Sequence, residues 1–182
     1  MNQLTQLSTQ LSESLQLSDV SIKFVAKQYF GVGEATFKKR LKTDEFLKSL
    51  KIDIKKGRIT IDALANMFMH YRSLTIKRLQ INNNAFDSSS CDKQPSYEGS
   101  AMSQALMSQY GAPLVPYLEV AKTLFGWAAS GTAMTRFRDG TIDNTPLVTI
   151  CLAEGNKDAL FVYVDDLVKC INHPRFVNIS KR

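Results

Sequence analysis

Cysteine is scarce in this sequence of 182 residues. Cys91, Cys151 and Cys170 are odd in number, and no two stand at C-x-x-C spacing. A disulfide framework and a structural zinc site are therefore both disfavoured, and a reducing compartment suits the chain better. Cys151 and Cys170 read as small core hydrophobes, and Cys91, in a polar stretch, as a bystander. Apolar runs long enough to cross a membrane are missing. The opening Met1-Asn2-Gln3-Leu4 has neither a basic nor an apolar signal-peptide region, so no leader is expected. Histidine is nearly absent too: His70 and His173 are far apart and lack metal-ligand spacing. Gly31-Val32-Gly33 falls short of a dinucleotide-binding glycine pattern. The acidic pairs Asp44-Glu45 and Asp165-Asp166 read as a solvated turn and a helix start rather than as acid and base. The expectation is a protein with no catalysis, no cofactor, no metal and no membrane partner, working in the cytoplasm of a bacterial or phage-infected bacterial cell.

What the chain has is positive charge, unevenly spread. From Asp19 to Gln80 there are fourteen Lys or Arg against six Asp or Glu, whereas from Ala101 to Arg182 there are eight against seven. The first half therefore carries the excess. A concentrated cationic surface attracts phosphates without regard to sequence.

Two segments read alike. Val20 to Val32 and Val115 to Trp127 share Val-Ala-Lys and Phe-Gly at a constant offset of 95 residues. One extra residue in the second copy aligns Thr36 with Thr132 and Arg40 with Arg136. Each copy then continues through a polar stretch, two strand-like runs and an acidic helix start. In the first copy the runs are Leu50 to Ile54 and Arg58 to Ile61, joined by Lys55-Lys56-Gly57. In the second they are Leu147 to Leu152 and Ala159 to Val164. Asp62 and Asp165-Asp166 are placed to cap the helices that follow. Leu4, Leu7, Leu11 and Leu15 form one stripe of an N-terminal helix, expected to pack on its own domain rather than on a second copy of the chain. Further helices are expected from Asp62 to about Leu79 and from Met102 to Tyr110. The domain reading is 1–81, a polar linker over 82–100 rich in Asn and Ser, and 101–182.

The first copy places its chemistry on a helix and a loop. A helix from about Ile22 to Tyr29 ends at Gly31. The next, from near Glu34, buries Phe37 and Leu41, four residues apart. That arrangement turns Lys38, Lys39 and Lys42 toward solvent on a helix that also carries Thr36 and Arg40, as a helix lying in a DNA major groove would need. Lys48, Lys51, Lys55, Lys56 and Arg58 stand on the expected hairpin, where a wing would reach phosphates. The second copy offers Thr132, Thr135, Arg136 and Arg138, with Lys157 at its hairpin tip, and has fewer cations. Trp127 reads as core.

The second half resembles the pyocin activator (PrtN) family. The resembling residues are Leu106 to Tyr110, Pro116 to Val120, Phe125-Gly126, Thr132 with Arg136, and Val162 to Leu167 with Ile171. They cover roughly residues 104 to 173. The wider pattern is similar to excisionase and MerR-type winged-helix domains. The resemblance implies control of prophage or bacteriocin genes through promoter DNA. The chain departs from the family in having two copies and a longer Ala153 to Asp158 turn before the last strand. The fold expected is α+β, mostly helical: two small winged helix-turn-helix-like domains. The function expected is sequence-specific binding of double-stranded DNA for transcription control, with RNA polymerase and a second copy of the chain as further partners. The alternatives are an excisionase-like DNA-bending protein and a phage-encoded protein-interaction or inhibitor module.

Overall fold

Ser21 ends a strand and caps a helix in one step: its hydroxyl accepts the Phe24 backbone N–H at 3.1 Å. A computed structural model of the chain describes residues 3–82, 100–138, 147–153 and 156–172, leaving out the side chains of 78–82, 136 and 138. It is mixed α/β, predominantly helical, with two small antiparallel sheets. Two compact units divide it: residues 1–71 with 152–159, and 72–151 with 160–182. Cys91, His173 and most of the expected linker lie outside the described residues.

The first unit runs α1 (Gln3–Leu15), β1 (Asp19–Ser21), α2 (Ile22–Gln28), α3 (Glu34–Thr43), α4 (Glu45–Ser49), β2 (Arg58–Thr60) and the start of α5 (Ile61–Asn82). Leu7 and Leu11 of the α1 stripe are buried, and Leu4 and Leu15 are half-buried. β1 pairs antiparallel with β2 in the register Val20↔Ile59, and both side chains are buried. The ladder is extended at each end by backbone bonds, Ile22 N–H to the Gly57 carbonyl at 2.9 Å and Ile61 N–H to the Ser18 carbonyl at 3.1 Å. Phe30, Phe37, Leu47, Leu64, Met67 and Phe68 fill the core around α2 and α3.

Two expectations are corrected here. The run Leu50 to Ile54 is not a strand. After α4 ends, Lys51 turns through the left-handed region at φ 52°, and the Asp53 carboxylate accepts the backbone N–H groups of Lys55 and Lys56 at 3.0 and 3.3 Å. An Asp that bonds its own downstream backbone competes with a ladder, and β1 already pairs with β2. The basic loop is thus a chain of turns, not a hairpin wing. Asp62 does not cap α5 either; the Thr60 hydroxyl accepts the Ala63 N–H, and Asp62 stands in the first turn.

The second unit contains α6 (Ala101–Tyr110), β3 (Leu114–Pro116), α7 (Tyr117–Leu124), α8 (Ser130–Arg138), β4 (Thr149–Cys151), β5 (Leu160–Tyr163) and α9 (Val164–Ile171). Its sheet has the order β3-β5-β4, antiparallel throughout, so here the expected hairpin does form, from β4 and β5. α9 starts after Tyr163 with no side-chain cap, which places Asp165 and Asp166 inside the first turn rather than at the cap. Both are buried. Ser103 donates to Asp165 at 2.7 Å, and the Arg72 guanidinium grips Asp166 with two bonds of 2.6 Å. A buried charge kept in this way needs such forked partners. Cys170 is buried and Cys151 half-buried against the core, and Trp127 packs on it beside Phe125.

Several local features of the first unit have counterparts in the second. Gly31 and Gly126 both turn at positive φ, 60° and 68°, after a helix. The N–H of Val32 bonds the Ala26 carbonyl at 3.0 Å, and that of Trp127 bonds Ala121 at 3.0 Å. The register Val20↔Ile59 is matched by Val115↔Val162, and the bond from Ile61 to Ser18 by one from Val164 to Pro113 at 2.9 Å.

Candidate nucleic-acid interface

Helix α3 is held from below by two apolar side chains and a ring contact. Phe37 and Leu41 are buried, and Phe37 meets Phe30 with ring centroids 4.5 Å apart. Truncating such side chains costs about 2–5 kcal/mol, so the helix is firmly seated. Its approach is set by the turn Tyr29 to Gly33, where Gly31 adopts φ 60°. An ideal Cβ on Gly31 would lie 2.3 Å from the Asn156 amide nitrogen, which itself donates to the Phe30 carbonyl at 3.2 Å. Asn156 belongs to the same unit. Glycine is what lets this loop come so close.

The outer face of α3 is divided. Thr36, Lys39 and Lys42 are exposed. Lys38 bonds Glu34 one turn back at 2.6 Å, each side chain a little over one-third exposed. The Glu34 carboxyl is held below its ordinary range, first by the hydrogen bond from Lys38 and then by its charge. Arg40 lies with its guanidinium carbon 5.4 Å from the centroid of the Phe30 ring, a cation–π contact that fixes its stem on the unit. Among the described residues Lys39 and Lys42 form no ion pair.

Lys55 and Lys56 are exposed on the turns before β2, and they too form no ion pair among the described residues. Arg58 is exposed but committed: its guanidinium bonds the Asp19 carboxylate across the β1–β2 pair. Lys42 is brought beside Lys48 and Lys51, around a cleft between α3, α4 and the following turns. In the second unit Thr132 and Thr135 are exposed on α8; Arg136 and Arg138 lie on the same helix, and their side chains are outside the described set. Lys157, expected at the tip of the second hairpin, is exposed and grouped with the first unit. Lys48 and Lys51, which the helix-plus-hairpin reading puts on the hairpin, stand instead in the last turn of α4 and just after it. The neutralising roles of Glu34 and Asp19 also escape that reading, although the four-residue spacing of Glu34 and Lys38 is a legible signal.

His70 is half-buried on α5 and stacks on Phe46 with ring centroids 3.6 Å apart. No group of three or more His, Cys, Asp or Glu is gathered as a metal site among the described residues. No described helix is long and apolar enough to cross a membrane.

The geometry defines a mixed α/β protein that presents a cationic helix and loop in one unit and a hydroxyl-bearing helix in the other. Residues 103–176 match the family model described as Pyocin activator protein PrtN. The match spans α6 to α9 and points to transcriptional regulation. No curated protein and no solved structure matches the chain.

Proposed function

We propose that this protein binds double-stranded DNA sequence-specifically and regulates transcription of prophage or mobile-element genes, through two copies of one module. The observation that carries the reading is the cation set Lys39, Lys42, Lys55 and Lys56: exposed, without an ion-pair partner among the described residues, on a helix anchored by Phe37 and Leu41 and on the loop that follows. Neutralising phosphates at several points needs such side chains. Base reading falls to exposed Thr36 in the first module and to exposed Thr132, with Arg136 on the same helix, in the second. Lys55 and Lys56 reach phosphates from the turns before β2 rather than from a hairpin. The family match to residues 103–176 supports the regulatory role of the second module.

Duplication is supported by the matched registers, the paired positive-φ glycines and the serine-to-aspartate bond that occurs in each module, Ser8 to Asp62 and Ser103 to Asp165. The two copies have then divided the labour. The first supplies charge and hence affinity, and the second, nearly neutral, supplies discrimination. Linking them raises apparent affinity through effective concentration, so the preferred site has two parts.

DNase footprinting on genomic fragments with the full chain tests the reading. A protected site in two segments is expected. Uniform protection, or none, contradicts it. A strong bend in permuted fragments without any promoter effect would move the assignment to a DNA-bending role.

A further inference from the structure

Beside α3 the first unit has a cleft of about 300 Å³ whose make-up phosphate contacts do not explain. Its floor is aliphatic: Leu41 and Leu47 are buried, and Ile52 and Ile54 are half-buried. Its rim is Lys42, Lys48 and Lys51, all exposed, and no acidic residue lines it. A row of phosphates gains from the lysines and nothing from the aliphatic floor, because apolar burial needs an apolar partner. The family match begins at residue 103 and does not reach this cleft.

Lys51 adds a second observation. It stands just after α4 at φ 52°, a position and conformation where glycine is the unstrained choice. The chain holds a lysine there, so the ammonium group is placed on the rim against a backbone preference.

We propose that this cleft is a docking site for an acidic, amphipathic protein segment, whose carboxylates meet Lys42, Lys48 and Lys51 while an aliphatic or aromatic side chain fills the floor. The volume is at the lower end of the range for ligand pockets, roughly 300–1,000 Å³, so it takes one or two side chains of such a segment. Lysines are flexible point charges and accept carboxylates at varied positions, which suits an extended acidic stretch better than a fixed bidentate ligand. The floor makes the site selective for acidic segments that also carry a large apolar residue.

The test is fluorescence anisotropy on the full chain with three labelled probes: a short peptide of Asp, Leu and Phe, the same peptide with Ser in place of Leu and Phe, and a DNA duplex. The apolar-acidic peptide should bind about tenfold or more tighter than its serine form. Lys51→Gly should weaken that peptide while melting no lower than the parent, and Ile54→Ser should bring its affinity down toward that of the serine form. Equal binding of the two peptides overturns the proposal. So does a parallel loss of peptide and duplex in Lys51→Gly, which would make the cleft part of the DNA contact. If Ile54→Ser fails to fold, the peptide pair and Lys51→Gly still decide the question.

Discussion

Ser103 donates a buried hydrogen bond of 2.7 Å to Asp165, tying α6 to the first turn of α9. Ser8 makes the corresponding bond to Asp62 at 2.5 Å, but at the surface. The same sequence relation therefore works in two environments, and its energetic weight should differ. Ser103→Ala leaves a buried carboxyl short of a donor and is expected to cost about 1–3 kcal/mol. Ser8→Ala, where water replaces the hydroxyl, should cost under about 1 kcal/mol. Urea denaturation of each variant measures the difference; equal losses would contradict the assigned burial.

The paired glycines form a second internal control. Gly126 has open space around an added Cβ, so Gly126→Ala bears only the left-handed backbone cost, about 1–2 kcal/mol. Gly31→Ala bears that cost and also displaces the Asn156 amide, breaking its bond to the Phe30 carbonyl. It should destabilise the chain more than Gly126→Ala does. Thermal unfolding of the two variants compares them directly, and the reverse order would count against the close approach at Gly31.

Much of the frame can be read from residue order. The four-residue step from Phe37 to Leu41 announces the buried face of α3, and Gly111-Ala112-Pro113 announces the end of α6. The hairpin of β4 and β5 is legible in its apolar runs. The run Leu50 to Ile54 misleads because Ile52 and Ile54 alternate as a strand would, while the Asp53 side chain claims the local N–H groups and β1 takes the pairing edge of β2. Strand partners chosen across nearly forty residues leave no local mark. The same is true of ion pairs such as Arg58 with Asp19, which silence a cation that looks available in the sequence.

Glu34 sets how much of the α3 charge is usable. Its carboxyl titrates below its ordinary 4.5 because Lys38 bonds and faces it. The lowered value means that the pair's contribution to the helix is present above that ordinary value and is lost as pH falls through the lowered one. Glu34→Gln should release Lys38 and strengthen duplex binding at neutral pH. Gel-shift titration of this variant against the parent checks it, and weaker binding would contradict the role given to the pair.

Alkaline titration probes the core under α2. Burial pushes the Tyr29 phenol up to about 12 from 10.0. The folded state therefore keeps the proton while the unfolded chain loses it, so stability falls as pH rises from 10 toward 12, by up to roughly 1.4 kcal/mol per pH unit. Tyr29→Phe should remove that slope. Denaturation midpoints across this range in parent and variant show whether it does; the same slope in both would place the titrating group elsewhere.

The most direct measurement is duplex affinity as a function of salt for the full chain and for a variant with Lys39, Lys42, Lys55 and Lys56 all changed to Ala. The parent should show log affinity falling linearly with log salt. The variant should bind more weakly, with the slope reduced by about one for each lysine that reaches a phosphate. An unchanged slope and affinity in the variant, or no duplex binding by the parent at low salt, would contradict the account.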